Sequence, residues 1–239
     1  MPVTVGIAAS GHGPDPGVPG TIPDIECWYD FSDTASLTLV STTHISVALD
    51  KSGNGYHARM GTDANRPILT ADLIKVGKNA ANFLNCYMNI DTAPGPLAST
   101  KPFSIFAAVK LTATLAYRDI FGGSIGGNIV YRMNNAHKHS LVKNQVVEIG
   151  VGTTALATVT PIIVGVTYTA AGVYTFYNAN TANGTGTNNQ TFTAGGYPVL
   201  CDSIGEPWHG AMGELVKYRR DLTTAERNSL YTYLSGKWI

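Results

Sequence analysis

The stretch Gly210-Ala-Met-Gly-Glu-Leu-Val-Lys-Tyr-Arg-Arg-Asp-Leu-Thr-Thr-Ala-Glu-Arg-Asn-Ser-Leu-Tyr-Thr-Tyr-Leu-Ser-Gly-Lys-Trp-Ile239 decides how the chain of 239 residues folds. Met212, Glu214, Val216 and Tyr218 alternate with Gly213, Leu215, Lys217 and Arg219, the period of two of a sheet strand with unlike faces. The period then changes. Thr223, followed three residues on by Glu226, fits a capping box, in which each side chain satisfies a backbone N–H that the first helical turn leaves unpaired. Leu230, Tyr233 and Leu234 form the apolar stripe of the helix that follows. Gly236 sits where a helix commonly stops in a left-handed residue, and Trp238 comes after it as a large apolar plug.

Upstream, the pattern predicts short strands. Ile25 to Phe31 is one, and Ser46 to Leu49 leads to Asp50, where Lys51-Ser-Gly-Asn-Gly55 turns the chain. Ala81 to Ile90 reads as one strand with Leu84, Cys86, Met88 and Ile90 on the core face and Phe83, Asn85, Tyr87 and Asn89 on the wet one. Phe103 to Leu111 is nearly all apolar and therefore central. Ile120 to Asn128 bends sharply. Asn128 to Met133, Val142 to Val151, Ile162 to Thr169 and Val173 to Asn178 continue a meander, with a hairpin tip over Asn178 to Asn189. Strands at near-regular spacing with turn residues between them predict an all-β, two-sheet antiparallel sandwich over residues 25–239.

Such a sandwich is long enough to bury a core without disulfides or metal. Only 13% of residues are charged and the net charge is zero, so no electrostatic footprint for nucleic acid or an anionic membrane is present. No stretch approaches the ~20 apolar residues of a membrane span. Cys27, Cys86 and Cys201 lack the short spacing of a metal knuckle or redox pair and are expected to be buried free thiols. Met1-Pro-Val-Thr has neither the basic nor the apolar region of a signal peptide, which predicts a product kept in a reducing cytosol until assembly or lysis.

Residues 1–24 read as an extended arm. Gly11 to Gly20 and Pro23 exclude helix and interior strand. Val3, Val5 and Ile7 alternate with polar or small residues, the pattern of a strand added to a partner's sheet edge, and are the expected docking residues.

For catalysis, a glycoside hydrolase needs two carboxylates flanking the scissile bond at ~5 Å. Glu148, Glu206, Glu214 and Glu226 each stand alone in their segments, and only Asp24, Glu26 and Asp30 cluster, where Pro23 and Trp28-Tyr29 read as a strand start and core anchor. No catalytic residue is assigned and no enzyme is expected. Asp50 and Asn54 lie in a Gly-rich turn that either begins a calcium loop or is held by their side chains bonding to backbone. No cofactor is expected unless calcium binds there. His137 and His139 read as an exposed loop pair rather than a zinc site. Sugar sites use an exposed aromatic against the ring with polar groups for its hydroxyls. Trp208 and His209, with Tyr131 and Asn134, have that composition, although Trp208 equally suits closing the fold.

Glu214 to Trp238, taken with Trp28-Tyr-Asp-Phe-Ser-Asp33, Asp50 to Ala58 and Arg66-Pro67, resembles concanavalin A-like lectin/glucanase domains, in particular the laminin-G-like branch common in bacterial and phage proteins. The resemblance spans residues 25–239 and implies a jelly-roll sandwich with a short C-terminal helix. It implies a non-enzymatic virion protein, made in the host cytoplasm, that decorates a tailed-phage capsid or tail through its arm and has other virion proteins and further copies of itself as partners. A glycan-binding host-adhesion module is the alternative, and a divergent glycoside hydrolase or lyase the second, because one fold carries many functions.

Overall fold

The computed structural model describes residues 18–91, 102–112, 117–123, 129–143, 147–188, 198–201 and 208–239. Among them are β1 (Ile25–Asp30), β2 (Leu37–Val40), β3 (His44–Ala48), β4 (Ala58–Arg59), β5 (Ile68–Ala71), β6 (Asn79–Leu84), β7 (Met88–Ile90), β8 (Phe103–Leu111) and β9 (Arg118–Gly123). They continue with β10 (Ile129–Met133), β11 (His139–Lys143), β12 (Val147–Val151), β13 (Ile162–Tyr168), β14 (Val173–Asn178), β15 (Thr181–Thr187), β16 (Pro198–Leu200) and β17 (His209–Tyr218), before α1 (Thr224–Trp238).

The fold is all-β with one C-terminal helix, and every strand pairing is antiparallel. β17 is central. One flank pairs with β8; the other pairs first with β6, through His209 to Met212, and then with β1, through Glu214 to Tyr218. Beyond β8 the first layer runs β13, β14, β15. The second layer runs β2, β3, β4, β7, β16, β9, β10, β11, β12. The ladder passes from one layer to the other through β5, which pairs with both β6 and β3, making a nearly closed, barrel-like sandwich.

Two apolar clusters hold the layers. The larger lies between the sheets and includes Tyr29, Phe83, Phe103, Tyr131, Tyr168, Phe176 and Trp208. The smaller joins Phe106, Ile163, Val216 and Tyr218 on the outer side of the first layer to Leu230, Leu234 and Trp238 of α1. β17 is therefore buried on both faces, not one, because α1 covers the side that alternation alone assigns to solvent. The capping box forms as expected, Thr223 Oγ1 accepting from Glu226 N and Thr223 N donating to Glu226 Oε2 at 2.9 Å. Gly236 does not end the helix, which continues to Trp238. Under α1 the position that needs to be glycine is Gly213, where a Cβ would lie 2.6 Å from the Trp238 ring, and at the start of β17 it is Gly210, where a Cβ would lie 2.1 Å from Lys110 O.

The predicted strand over Ala81 to Ile90 is two strands. Asn85, at φ 57°, breaks it, so Phe83 is buried in the core while Leu84 is exposed, the reverse of the expected faces. Val142 to Val151 is likewise a hairpin of β11 and β12, and the expected tip over Asn178 to Asn189 contains β15. Val3, Val5 and Ile7 lie outside the described residues. At the end of the arm, Val18 and Ile22 pack on the cluster under α1, and Tyr218 Oη donates to Pro19 O at 3.2 Å.

Candidate functional site

Asp24 and the acids of β1 do not share a site. Asp24 pairs with Arg220 at 3.4 Å, Glu26 meets Lys217, and Asp30 pairs with Lys237 at 2.7 Å. Asp30 instead stands opposite Glu214, a buried carboxylate that accepts from Trp28 Nε1 (2.6 Å), Lys237 Nζ (2.8 Å), Trp238 Nε1 (2.9 Å) and Tyr233 Oη (3.1 Å). Burial raises the Glu214 carboxyl. It works the same way on Asp30, but the bonds from Lys237 and Ser32 prevail and hold Asp30 below its ordinary value. This centre fastens α1 to the sheet. Glu226 caps the helix and pairs with Arg220, while Glu206 lies outside the described residues.

Asp50 is surrounded by donors: Oδ1 accepts from Trp28 N and Ser52 N, both at 2.9 Å, and Oδ2 from Ser52 Oγ at 2.7 Å and Tyr56 N at 3.1 Å. Asn54 Nδ2 donates to Ile25 O and Glu26 O. The loop thus ties β1 in place through side-chain-to-backbone bonds. No group of three or more His, Cys, Asp or Glu suited to a metal ion occurs among the described residues. Cys27, Cys86 and Cys201 are buried and form no disulfide with one another.

The four expected sugar-site residues do not converge. Trp208 is fully buried between the sheets rather than exposed, with no hydrogen-bond partner for Nε1 among the described residues. Tyr131 also points inward, its hydroxyl 2.7 Å from His139 Nδ1. Asn134 Oδ1 accepts from Ala136 N and Lys138 N and shapes the turn between β10 and β11. His209, partly exposed, meets Asn85 Oδ1 at 2.5 Å, and burial together with Arg118 lowers its pKa. His139 is likewise no exposed loop residue, being fully buried and stacked on Tyr131 and Phe176.

Strand alternation that turns Tyr131 inward turns Arg132 outward. On the outer face of the second layer, Asp119, Arg132 and Ser140 stand opposite one another across β9, β10 and β11, and Ser140 Oγ donates to Glu148 Oε1 at 2.8 Å. The Tyr117 ring, half-buried at the end of the row, lies 4.1 Å from the Arg132 guanidinium. Beside this polar row runs an apolar floor of Val199, Val130 and Val142, with Gly122 opposite both Val130 and Val199. A Cβ at Gly122 would lie 2.8 Å from the Val130 side chain. Asn89 and Arg59 continue the floor to the far edge, where Arg59 pairs with Asp91 at 2.7 Å. Asp119, Arg132, Ser140 and the three valines are all buried, so solvent reaches the row only at its ends, at the half-buried Tyr117 ring and the exposed Glu148. An accessible aromatic ring beside charged groups suits a ligand with one apolar side and many hydroxyls. The sequence signal for this face was the outward half of the β10 alternation.

No family model matches the chain, and no curated protein matches it. Among solved structures, the fold is similar to domain 4 of AbnA, a GH43 extracellular arabinanase from Geobacillus stearothermophilus, in complex with arabinotriose. The TM-score is 0.62 at 17% identity, over 87% of this chain and 98% of that one. It is similar also to the binding domain of botulinum neurotoxin serotype D (TM-score 0.61, 11% identity, 90% of this chain and 51% of that one). A third likeness is to Trypanosoma rangeli sialidase in complex with the inhibitor DANA (TM-score 0.57, 10% identity, 87% and 32%). The chain therefore spans about half of the toxin domain and a third of the sialidase. At these identities the likeness establishes a β-sandwich fold and nothing finer.

Proposed function

We propose that this chain is a non-catalytic glycan-recognition module, a concanavalin A-like jelly-roll sandwich whose ligand meets the Tyr117 end of the outer face of the second layer. The observation that carries the reading is the half-buried Tyr117 ring, 4.1 Å from the Arg132 guanidinium, at the solvent-reached end of an otherwise buried polar row. Two facts support it: the fold is shared along nearly the whole length of a domain solved with arabinotriose, and Asp24, Glu26, Asp30 and Glu214 each have a cationic partner, Arg219 in the case of Glu26. An oligosaccharide array that includes arabino-oligosaccharides tests it. The wild type should bind at least one glycan, and Tyr117→Ala should weaken that binding about tenfold, ~1.4 kcal/mol, with an unchanged unfolding temperature. No binding across the array, or hydrolysis of a bound polysaccharide, would count against the reading.

The setting we propose for this face is a virion surface, reached through Val3, Val5 and Ile7, with other virion proteins and further copies of the chain as partners. What supports this is the sequence of the arm and the resemblance. A chain lacking residues 1–17 should keep its melting temperature within a few degrees yet no longer co-sediment with particles; normal co-sedimentation would refute the docking role.

A further inference from the structure

Lys217 and Glu26 meet in the interior and take no part in the polar face. Lys217 is 1% exposed and Glu26 3%, and Lys217 Nζ contacts Glu26 Oε2. They belong to the last strand and the first, which pair directly, and Glu26 sits at the bulge where the register shifts between Ile25 and Cys27. Its position is fixed by groups outside the pair. Asn54 Nδ2 donates to Ile25 O at 2.9 Å and Glu26 O at 3.0 Å, Ser52 Oγ donates to Glu26 O at 3.2 Å, and Arg219 Nε lies 3.3 Å from Glu26 Oε1. The Phe121 ring lies 5.9 Å from Nζ. An ammonium and a carboxylate desolvated to this degree are each costly, and a proton passed from Nζ to the carboxylate leaves a free amine against a neutral acid. Burial, helped by Arg219, lowers Lys217 to about 7, which brings the nucleophilic amine within reach at neutral pH.

We propose that Glu26 and Lys217 condense into a side-chain amide that ties β1 covalently to β17. The Nζ lone pair adds to Cδ of the protonated carboxyl, and the Arg219 guanidinium, beside Oε1, stabilises the oxyanion that develops there. The Cδ–Oε2 bond then breaks. Oε2 leaves as water, carrying one proton from the carboxyl and one from Nζ; nothing is oxidised or reduced, and no co-reactant is needed. A contact held in place by the Ser52 and Asn54 bonds makes the reaction intramolecular, which is what a slow condensation requires.

Intact-mass measurement of the purified full chain in denaturant tests the proposal, whatever the polar face binds. The wild type should be lighter than its sequence by one water, and proteolysis should yield a single linked species joining the peptide with Glu26 to the peptide with Lys217. Lys217→Arg should have the full mass of its sequence. A wild type at full sequence mass, a lost water mapped to other residues, or the same loss in Lys217→Arg would each overturn it.

Discussion

A chain ending at Asp221 should be recovered as insoluble protein and show no cooperative unfolding. It loses Leu222, Leu230, Leu234 and Trp238, all buried. Each contributes roughly 1.5–3 kcal/mol, and their sum is comparable to a typical domain stability of about 5–15 kcal/mol. The loss extends further, because Glu214 would keep its bond from Trp28 but lose those from Tyr233, Lys237 and Trp238, leaving a buried carboxylate without its cation. Solubility after expression and a urea titration check this. Soluble protein with a single sharp transition would mean that α1 is an appendage rather than the cover of the first layer.

How much of this was legible in the sequence depends on the range of the interaction. The capping box and the plug at Trp238 were readable because their partners lie within or next to the same thirty residues. The two-faced burial of β17 was not, since it depends on where α1 lands. Asn85 shows the limit of alternation: one residue with positive φ changes the phase, so Cys86, Met88 and Ile90 beyond it face the core as read while Phe83 and Leu84 before it were read backwards. The site fared similarly. Tyr131 and Trp208 drew attention as aromatics near polar residues, yet their direction is set by pairing with distant strands, and the outward residue was the neighbour, Arg132. The row Asp119–Arg132–Ser140 joins three strands that no spacing rule links.

The second large effect is expected on acidification. His139 lies with its ring centroid 5.8 Å from that of Tyr131 and 5.4 Å from that of Phe176, Nδ1 facing the Tyr131 hydroxyl and Nε2 facing Asn178 Oδ1. A neutral imidazole satisfies both neighbours, accepting from the tyrosine and donating to the amide. Burial pushes its pKa from 6.5 down to about 4, against the opposing bond to Asn178. The unfolded chain therefore binds this proton first. The stabilisation is complete above about pH 6.5 and is lost as pH falls towards 4, amounting to about 3 kcal/mol. Urea midpoints measured across that range should fall, and His139→Gln should flatten the fall while lowering stability at pH 7. An unchanged slope in that variant would place the acid sensitivity elsewhere.

The position of β17 also governs when the protein can fold. β1, β6 and β8 are all made before β17, and each waits for that later neighbour. Until then the apolar edge of β8 on that side has no strand to pair with, and the pairing of β1 with β17 spans most of the chain. Contacts so distant in sequence make folding slow, and an unfilled central slot invites pairing with a second nascent chain. Assembly of this sandwich therefore waits until β17 has been made, and its yield should depend on how crowded the nascent chains are.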